Sequence, residues 1–168
     1  MVVADRWEFS QLVRERAVVW RREAFLMCGD WSLAEDLVQT ALLRMYVRRH
    51  RLDPAGIDAY ARRVISRLAI DETRRPYRRA ELRNALPDTP VDDPEAAAAL
   101  DVRTALQKVP PKQRAVLVLR FFSDLTNAEA AKVLRISEGT VKSQAARGLA
   151  TLRQLLGENT EPIEGSVR

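Results

Sequence analysis

Cysteine and histidine each occur once in the 168 residues, as Cys28 and His50. A lone cysteine excludes an internal disulfide and a Cys-X-X-Cys site, and it is expected to fill core space. A lone histidine leaves no metal-ligand cluster and no acid–base pair. Neither a nucleophile–base constellation nor a phosphate-cradling glycine loop is present, so no enzyme, metal or cofactor is expected. No apolar run approaches the ~20 residues of a membrane-spanning helix. The N-terminus lacks a basic-then-apolar leader pattern, so a cytoplasmic protein without membrane insertion is expected. Glycine is scarce and strand-like alternation is absent.

What is abundant is helix-forming: alanine, leucine, arginine and glutamate. An all-α protein is expected. The net charge is +5 and the isoelectric point is about 9.9, which favours an anionic partner.

The strongest local signal lies between Thr126 and Leu149. Thr126 with Glu129 forms a capping box, and Ser137 is a second N-cap after a short turn at Arg135-Ile136. Ala130, Ala131, Val133 and Leu134 can bury the first helix. Val141, Ala145, Leu149 and Leu152 can bury the second. This is the pattern of a helix-turn-helix. The outer side of the second helix carries Glu138, Lys142, Ser143, Ala146 and Arg147. Lys142 and Arg147 can reach phosphates or guanine edges, and Ser143 can donate to either. On the residues alone, an ordinary helical hairpin with solvated charges stands beside the DNA-reading one.

The N-terminal part contains three helical segments. The first runs from about Trp7 to Cys28 and breaks at Gly29-Asp30-Trp31. The second starts at Ser32, paired with Glu35 as another capping box, and carries the stripe Leu33, Leu37, Ala41 and Met45. The third runs from about Asp58 to Arg79. Between Arg62 and Arg83 lie eight arginines against three acids, with Tyr60 and Tyr77 within or beside them. Arginine with interleaved aromatics suits a single-stranded backbone and stacked bases. A solvated arginine face is the alternative.

Composition then reverses. From Asn84 to Val102 there are five acids, three prolines and no basic residue. Within it, Asn84 to Pro94 reads as an acidic, extended linker. A helix is expected from about Glu95 to Lys108, and Pro111 suits the first turn of the next, to about Phe122. Leu117, Phe121 and Phe122 are read mostly as core. The expected organisation is a helical domain over 1–83, an acidic proline-containing linker over 84–102, a helix-turn-helix domain over 103–156, and a disordered tail over 157–168.

Four motifs follow one another along the chain. They are Ala34-Glu-Asp-Leu-Val-Gln-Thr-Ala-Leu42, Leu68-Ala-Ile-Asp-Glu-Thr-Arg-Arg75, Val109-Pro-Pro-Lys-Gln-Arg-Ala-Val-Leu-Val-Leu-Arg120 and Glu138-Gly-Thr-Val-Lys-Ser-Gln-Ala-Ala-Arg147. In order and spacing they resemble the extracytoplasmic-function (ECF) group of the bacterial sigma-70 family, in particular its actinobacterial SigE-type branch. The resemblance covers most of residues 5–80 and 103–155. It implies a sigma region 2-like bundle and a region 4-like helix-turn-helix, with the linker in place of a region 3 domain.

The resemblance also implies partners and sites. The chain would bind core RNA polymerase, its largest-subunit clamp helices through Asp36, Gln39, Thr40 and Leu43, and its flap through a few of the apolar residues around Leu117, Phe121 and Phe122. Lys142, Ser143, Gln144, Ala146 and Arg147 would enter the major groove of duplex DNA at the −35 element. Lys112, Arg114 and Thr126 would contact phosphates there. Tyr60, Arg63, Arg67, Arg74, Arg75 and Arg78 would hold the non-template single strand at the −10 element. An anti-sigma factor is a further candidate partner. Two positions depart from the pattern: Arg67 stands where many relatives carry asparagine, and Gln144 where relatives often carry arginine. Two other readings remain at this level: a free-standing helix-turn-helix regulator, resting on Thr126 to Leu149, and a protein-binding adaptor, resting on the polar face of the second helix.

Overall fold

The computed structural model describes residues 2–73 and 94–158, and among these every regular element is helical. Seven α-helices lie among the described residues: α1 (Val2–Cys28), α2 (Trp31–Arg48), α3 (Ile57–Thr73), α4 (Pro94–Lys108), α5 (Pro111–Leu117), α6 (Asn127–Leu134) and α7 (Glu138–Glu158). Short 3₁₀ turns at Arg49–Arg51 and Pro54–Gly56 link α2 to α3. A π-helical turn, Val118–Phe122, continues α5.

Helices α1, α2 and α3 pack around Trp20, Leu37, Val38, Met45 and Ile65, all buried. Polar ties fix the bundle where apolar packing alone would allow sliding. Asp58, in the first turn of α3, accepts from Trp20 Nε1 at 2.9 Å and from Arg16 Nε at 2.9 Å. A carboxylate there also suits the positive end of the helix dipole. Deeper in the bundle, Glu23 of α1 accepts from Arg62 of α3 through Nη2 at 2.8 Å and Nε at 3.0 Å.

The start of α2 differs from the capping box expected at Ser32. Gly29 ends α1 with φ +78, its amide donating to Phe25 O at 2.7 Å. That left-handed residue leaves Asp30 extended, and its carboxylate caps the new helix by accepting from Leu33 N at 2.8 Å. Ser32 is therefore already inside the helix. Glu35 instead pairs with Arg21 at 2.9 Å.

Helices α4 to α7 form a second lobe on Ala115, Val116, Leu119, Ala130, Val133 and Val141. Gly148 lets α7 cross α5 closely, since a β-carbon there would lie 2.9 Å from Leu117 Cδ1 and that side chain would have to move. Helix α4 begins at Pro94, one residue before the start expected at Glu95. Proline fits a first helical turn, and Ala96 to Ala99 are the strongest helix formers. At the other end Gly157 and Glu158 still belong to α7, and the remainder of the expected tail lies outside the described residues.

The lobes pack directly on each other, where a tether between separate bodies was expected. Gln107 Nε2 donates to Leu26 O at 2.9 Å, and Arg114 Nη1 to Met27 O at 2.7 Å. Ser123 Oγ donates to Glu23 Oε1 at 2.7 Å, and Arg63 Nη2 to Lys132 O at 3.1 Å. The Arg103 guanidinium lies 5.8 Å from the Phe25 ring centre.

Candidate nucleic-acid and polymerase interfaces

The helix-turn-helix forms as its sequence signals indicate. Glu129 N donates to Thr126 Oγ1 at 3.2 Å, and Thr126 N donates to Glu129 Oε2 at 2.7 Å. The Thr126 amide, then its hydroxyl, hold the Glu129 carboxyl below its ordinary value. Arg135 takes the left-handed conformation (φ 55) that closes α6, and Ile136 N returns to Ala131 O at 3.1 Å. Ser137 Oγ then accepts from Thr140 N at 3.0 Å and opens α7.

Helix α7 divides cleanly. Val141 and Gly148 are buried, and Ala145, Leu149 and Leu152 pack against the core. Lys142, Ser143, Ala146 and Arg147 are exposed together on the other side, with Gln144 half-buried at the edge. The Ser143 hydroxyl donates to Thr140 O at 3.1 Å, so its lone pairs face outward more readily than its proton. Two long cationic side chains flanking small residues give a surface that can approach a duplex closely.

The expected phosphate contacts fare differently. Lys112 is exposed at the start of α5. Thr126 is exposed, but its amide and a hydroxyl lone pair are committed to the capping box. Arg114 is only 5% exposed. Its guanidinium donates to Met27 O, Gln107 Oε1, Gln107 O and Val109 O. In this arrangement Arg114 joins the lobes and offers nothing to a phosphate. Sequence alone could not separate it from Lys112, because both precede a buried run.

The arginines of α3 line a groove of about 1290 Å³. Tyr60, Arg63 and Arg67 form one wall. Arg44, Arg48 and Arg51 form another, and Val133, Leu134 and Arg135 of the second lobe border it. The Arg48 guanidinium sits 5.8 Å from the Tyr60 ring centre. The sequence reading missed Arg44, Arg48 and Arg51. The available signal was the four-residue spacing of Arg44 and Arg48, which places them on one helix face. Arg74, Arg75 and Arg78, assigned to the same strand, lie outside the described residues.

On α2, Asp36 and Gln39 are exposed, and Leu43 is 68% exposed. Thr40 is half-buried and donates to Asp36 O at 2.9 Å. The apolar part of this face extends further than expected, since Val47 is 78% exposed and Tyr46 is exposed. In the second lobe Leu117 is buried, but Phe121 and Phe122 are 55% and 46% exposed. The wide π turn that carries them leaves both rings outside the core expected for them.

Residues 12–79 match the Sigma-70 region 2 family and residues 99–152 match Sigma-70, region 4. The chain is 37% identical over 155 residues to the RNA polymerase sigma-E factor of Streptomyces coelicolor, covering 89% of this chain and 86% of that protein. This chain belongs to the ECF group of the sigma-70 family. The sigma factor is also 31% identical over 166 residues to the ECF RNA polymerase sigma factor SigM of Mycobacterium tuberculosis, covering 93% of this chain and 81% of that one. Among solved structures it resembles the Bartonella quintana sigma factor RpoE in complex with the anti-sigma factor NepR. There the TM-score is 0.69 at 20% identity, covering 91% of this chain and 99% of that one. CnrH in complex with the cytosolic domain of CnrY has the same fold, with a TM-score of 0.69 at 24% identity, covering 92% and 91%. Helices α1 to α3 correspond to the region 2 match and α4 to α7 to the region 4 match. No described helix is long and apolar enough to cross a membrane.

Proposed function

We propose that this sigma factor docks on core RNA polymerase, carries it to a promoter and helps open the DNA there. The outer face of α2, with Asp36, Gln39, Thr40 and Leu43, meets the clamp helices of the largest subunit. Its mixture of acid, amide and exposed apolar groups suits a partner helix surface. The exposed Phe121 and Phe122 suit the flap. Helix α7 enters the −35 major groove with Lys142, Ser143, Gln144, Ala146 and Arg147, and Lys112 holds a phosphate. The α3 groove, with Tyr60, Arg63 and Arg67, takes the non-template strand at the −10 element, and Arg44, Arg48 and Arg51 add charge to it. Arg74, Arg75 and Arg78 belong to the same reading on sequence grounds.

One observation carries this reading: a cationic reading helix and a separate arginine groove sit on the two lobes of one chain. A free-standing duplex binder has no use for the groove. Unpairing and flipping a base costs a few kcal/mol. Stacking and cation–π contacts return about 1–3 kcal/mol per base. Opening is thus driven by binding, without a catalytic step by this chain. The work takes place in the cytoplasm, and an anti-sigma factor is a partner on the strength of family likeness.

The test is run-off transcription with purified core polymerase on a library of genomic promoters, followed by sequencing of transcript starts. Starts clustered behind a shared pair of elements are expected. No product together with no binding to core would eliminate the reading. Tight footprints on duplex DNA without polymerase would favour a free-standing regulator.

A further inference from the structure

The glycines of the chain differ in what the fold asks of them. Gly29 has a positive φ, and a β-carbon there would lie 2.7 Å from Gln107 Oε1. At Gly148 a β-carbon would press on Leu117. Gly139 meets neither demand. It is the second residue of α7, and its φ is not positive. A β-carbon there would meet only Ser137 Oγ, at an ordinary 3.8 Å. The cap of α7 does not require it either, since Ser137 Oγ accepts from Thr140 N. A glycine inside a helix weakens it relative to alanine, because more backbone freedom is lost on folding. Nothing within the fold offsets that cost.

What Gly139 faces lies outside the fold. It is exposed, as are Lys142, Ser143 and Ala146, which follow it by three, four and seven residues and so share its side of α7. In a helix-turn-helix the first residues of the second helix meet the base edges. The fit there is narrow. A helix with its side chains is ~10–12 Å across and the major groove is ~12 Å wide, so one added carbon is comparable with the clearance.

We propose that Gly139 sets how deeply α7 enters the −35 major groove. A side chain in this first turn would strike the groove and hold the helix back, and Lys142, Ser143 and Arg147 would fall short of the base edges. The missing side chain is thus a specificity determinant, kept although it weakens the helix. The inference rests on the −35 reading of α7 given above.

Gly139→Ala in the full-length chain separates a role toward DNA from a role in the fold. Thermal melts read the fold. The groove is read by binding of the reconstituted polymerase complex to a labelled promoter fragment found by run-off transcription, and to variants of it changed at single −35 bases. The melting temperature should rise by about 1–4 °C, as for a glycine replaced where the backbone is compatible. Affinity for the fragment should fall about fivefold or more, equivalent to one base contact, and the preference among −35 variants should flatten with it. Gly139→Met, bulkier and still a good helix former, should lose more. Gly157→Ala is the control on the same helix, where a β-carbon meets nothing within 4 Å. It should leave promoter affinity and −35 preference as they are. A lower melting temperature for Gly139→Ala, an unchanged affinity, a weaker affinity with −35 preference intact, or an equal loss in Gly157→Ala each overturns the proposal. Arg147→Ala tells the two claims apart. If it leaves −35 preference unaltered, the reading of α7 fails; if it alters that preference and Gly139→Ala does not, the depth-setting role alone fails.

Discussion

The pair Glu23–Arg62 should be the most sensitive electrostatic element of the fold. Glu23 is 1% exposed and Arg62 8%. Two arginine nitrogens and the Ser123 hydroxyl converge on the carboxylate. Glu23→Leu keeps the volume filled and leaves a buried guanidinium without its counter-charge. Breaking a buried pair in this way costs about 3–5 kcal/mol, and replacing both partners by apolar residues is close to neutral. The exposed pair Arg21–Glu35 has side chains 45% and 44% exposed, and such pairs contribute about 0–1 kcal/mol. Urea unfolding of Glu23→Leu, Arg62→Leu, the double variant and Glu35→Ala closes the comparison. The single changes at Glu23 and Arg62 should each lose about 3–5 kcal/mol, equivalent to roughly 6–20 °C in melting temperature for a chain of this size. The double variant should recover most of that loss. A Glu23→Leu variant no less stable than Glu35→Ala would refute the reasoning, and so would a double variant as unstable as the sum of the singles.

Thr126→Ala should destabilise the helix-turn-helix by about 0.5–2 kcal/mol in the same unfolding assay. Glu129 has a lowered carboxyl, so its stabilisation is present at neutral pH and fades as acid protonates it; melts of Glu129→Gln should lack that acid dependence. Burial pushes the Cys28 thiol up to about 11 from an ordinary 9.0, so its contribution is intact below 9.0 and is lost as pH rises toward 11. Thiol-reagent kinetics on Cys28 should accordingly follow global unfolding, and fast labelling of the folded protein would contradict the burial. Arg147→Ala in the polymerase complex should alter preference among −35 variants by about 1–3 kcal/mol, whereas Lys112→Ala should weaken all of them alike and reduce the salt slope by about 0.9. Equal relative losses across every −35 variant for both changes would end that division of roles.

Local features were legible in the sequence where a short pattern carries its own partner. The Thr126–Glu129 capping box and the Ser137 cap need only residues three positions apart, and both form. The apolar stripes of α2 and α7 likewise mark their buried faces without reference to the rest of the chain. The signals failed where the deciding partner was distant in sequence. Ser32 and Glu35 match a capping box, but Gly29 places Asp30 in position first, and Arg21 takes Glu35. Arg114 looks like Lys112 until α1 supplies Met27 O at 2.7 Å. Phe121 and Phe122 continue an apolar run, and the π turn that exposes them has no sequence signature of its own. The acidic residues before α4 suggested separation of the lobes. The complementarity that joins them depends on Gln107, Ser123 and Arg103, which lie outside the four motifs, and on Arg114, which lies inside one without announcing its contact with α1.

Permanganate footprinting of a promoter complex tests the central claim most directly, since it reads unpaired thymines base by base. Core polymerase with this chain should give reactive thymines clustered near the −10 element. That signal should vanish without the chain and fall sharply with Arg67→Ala, while −35 protection persists. Reactivity that is independent of the chain, or an Arg67→Ala complex that melts the DNA as fully as the parent, would contradict the account.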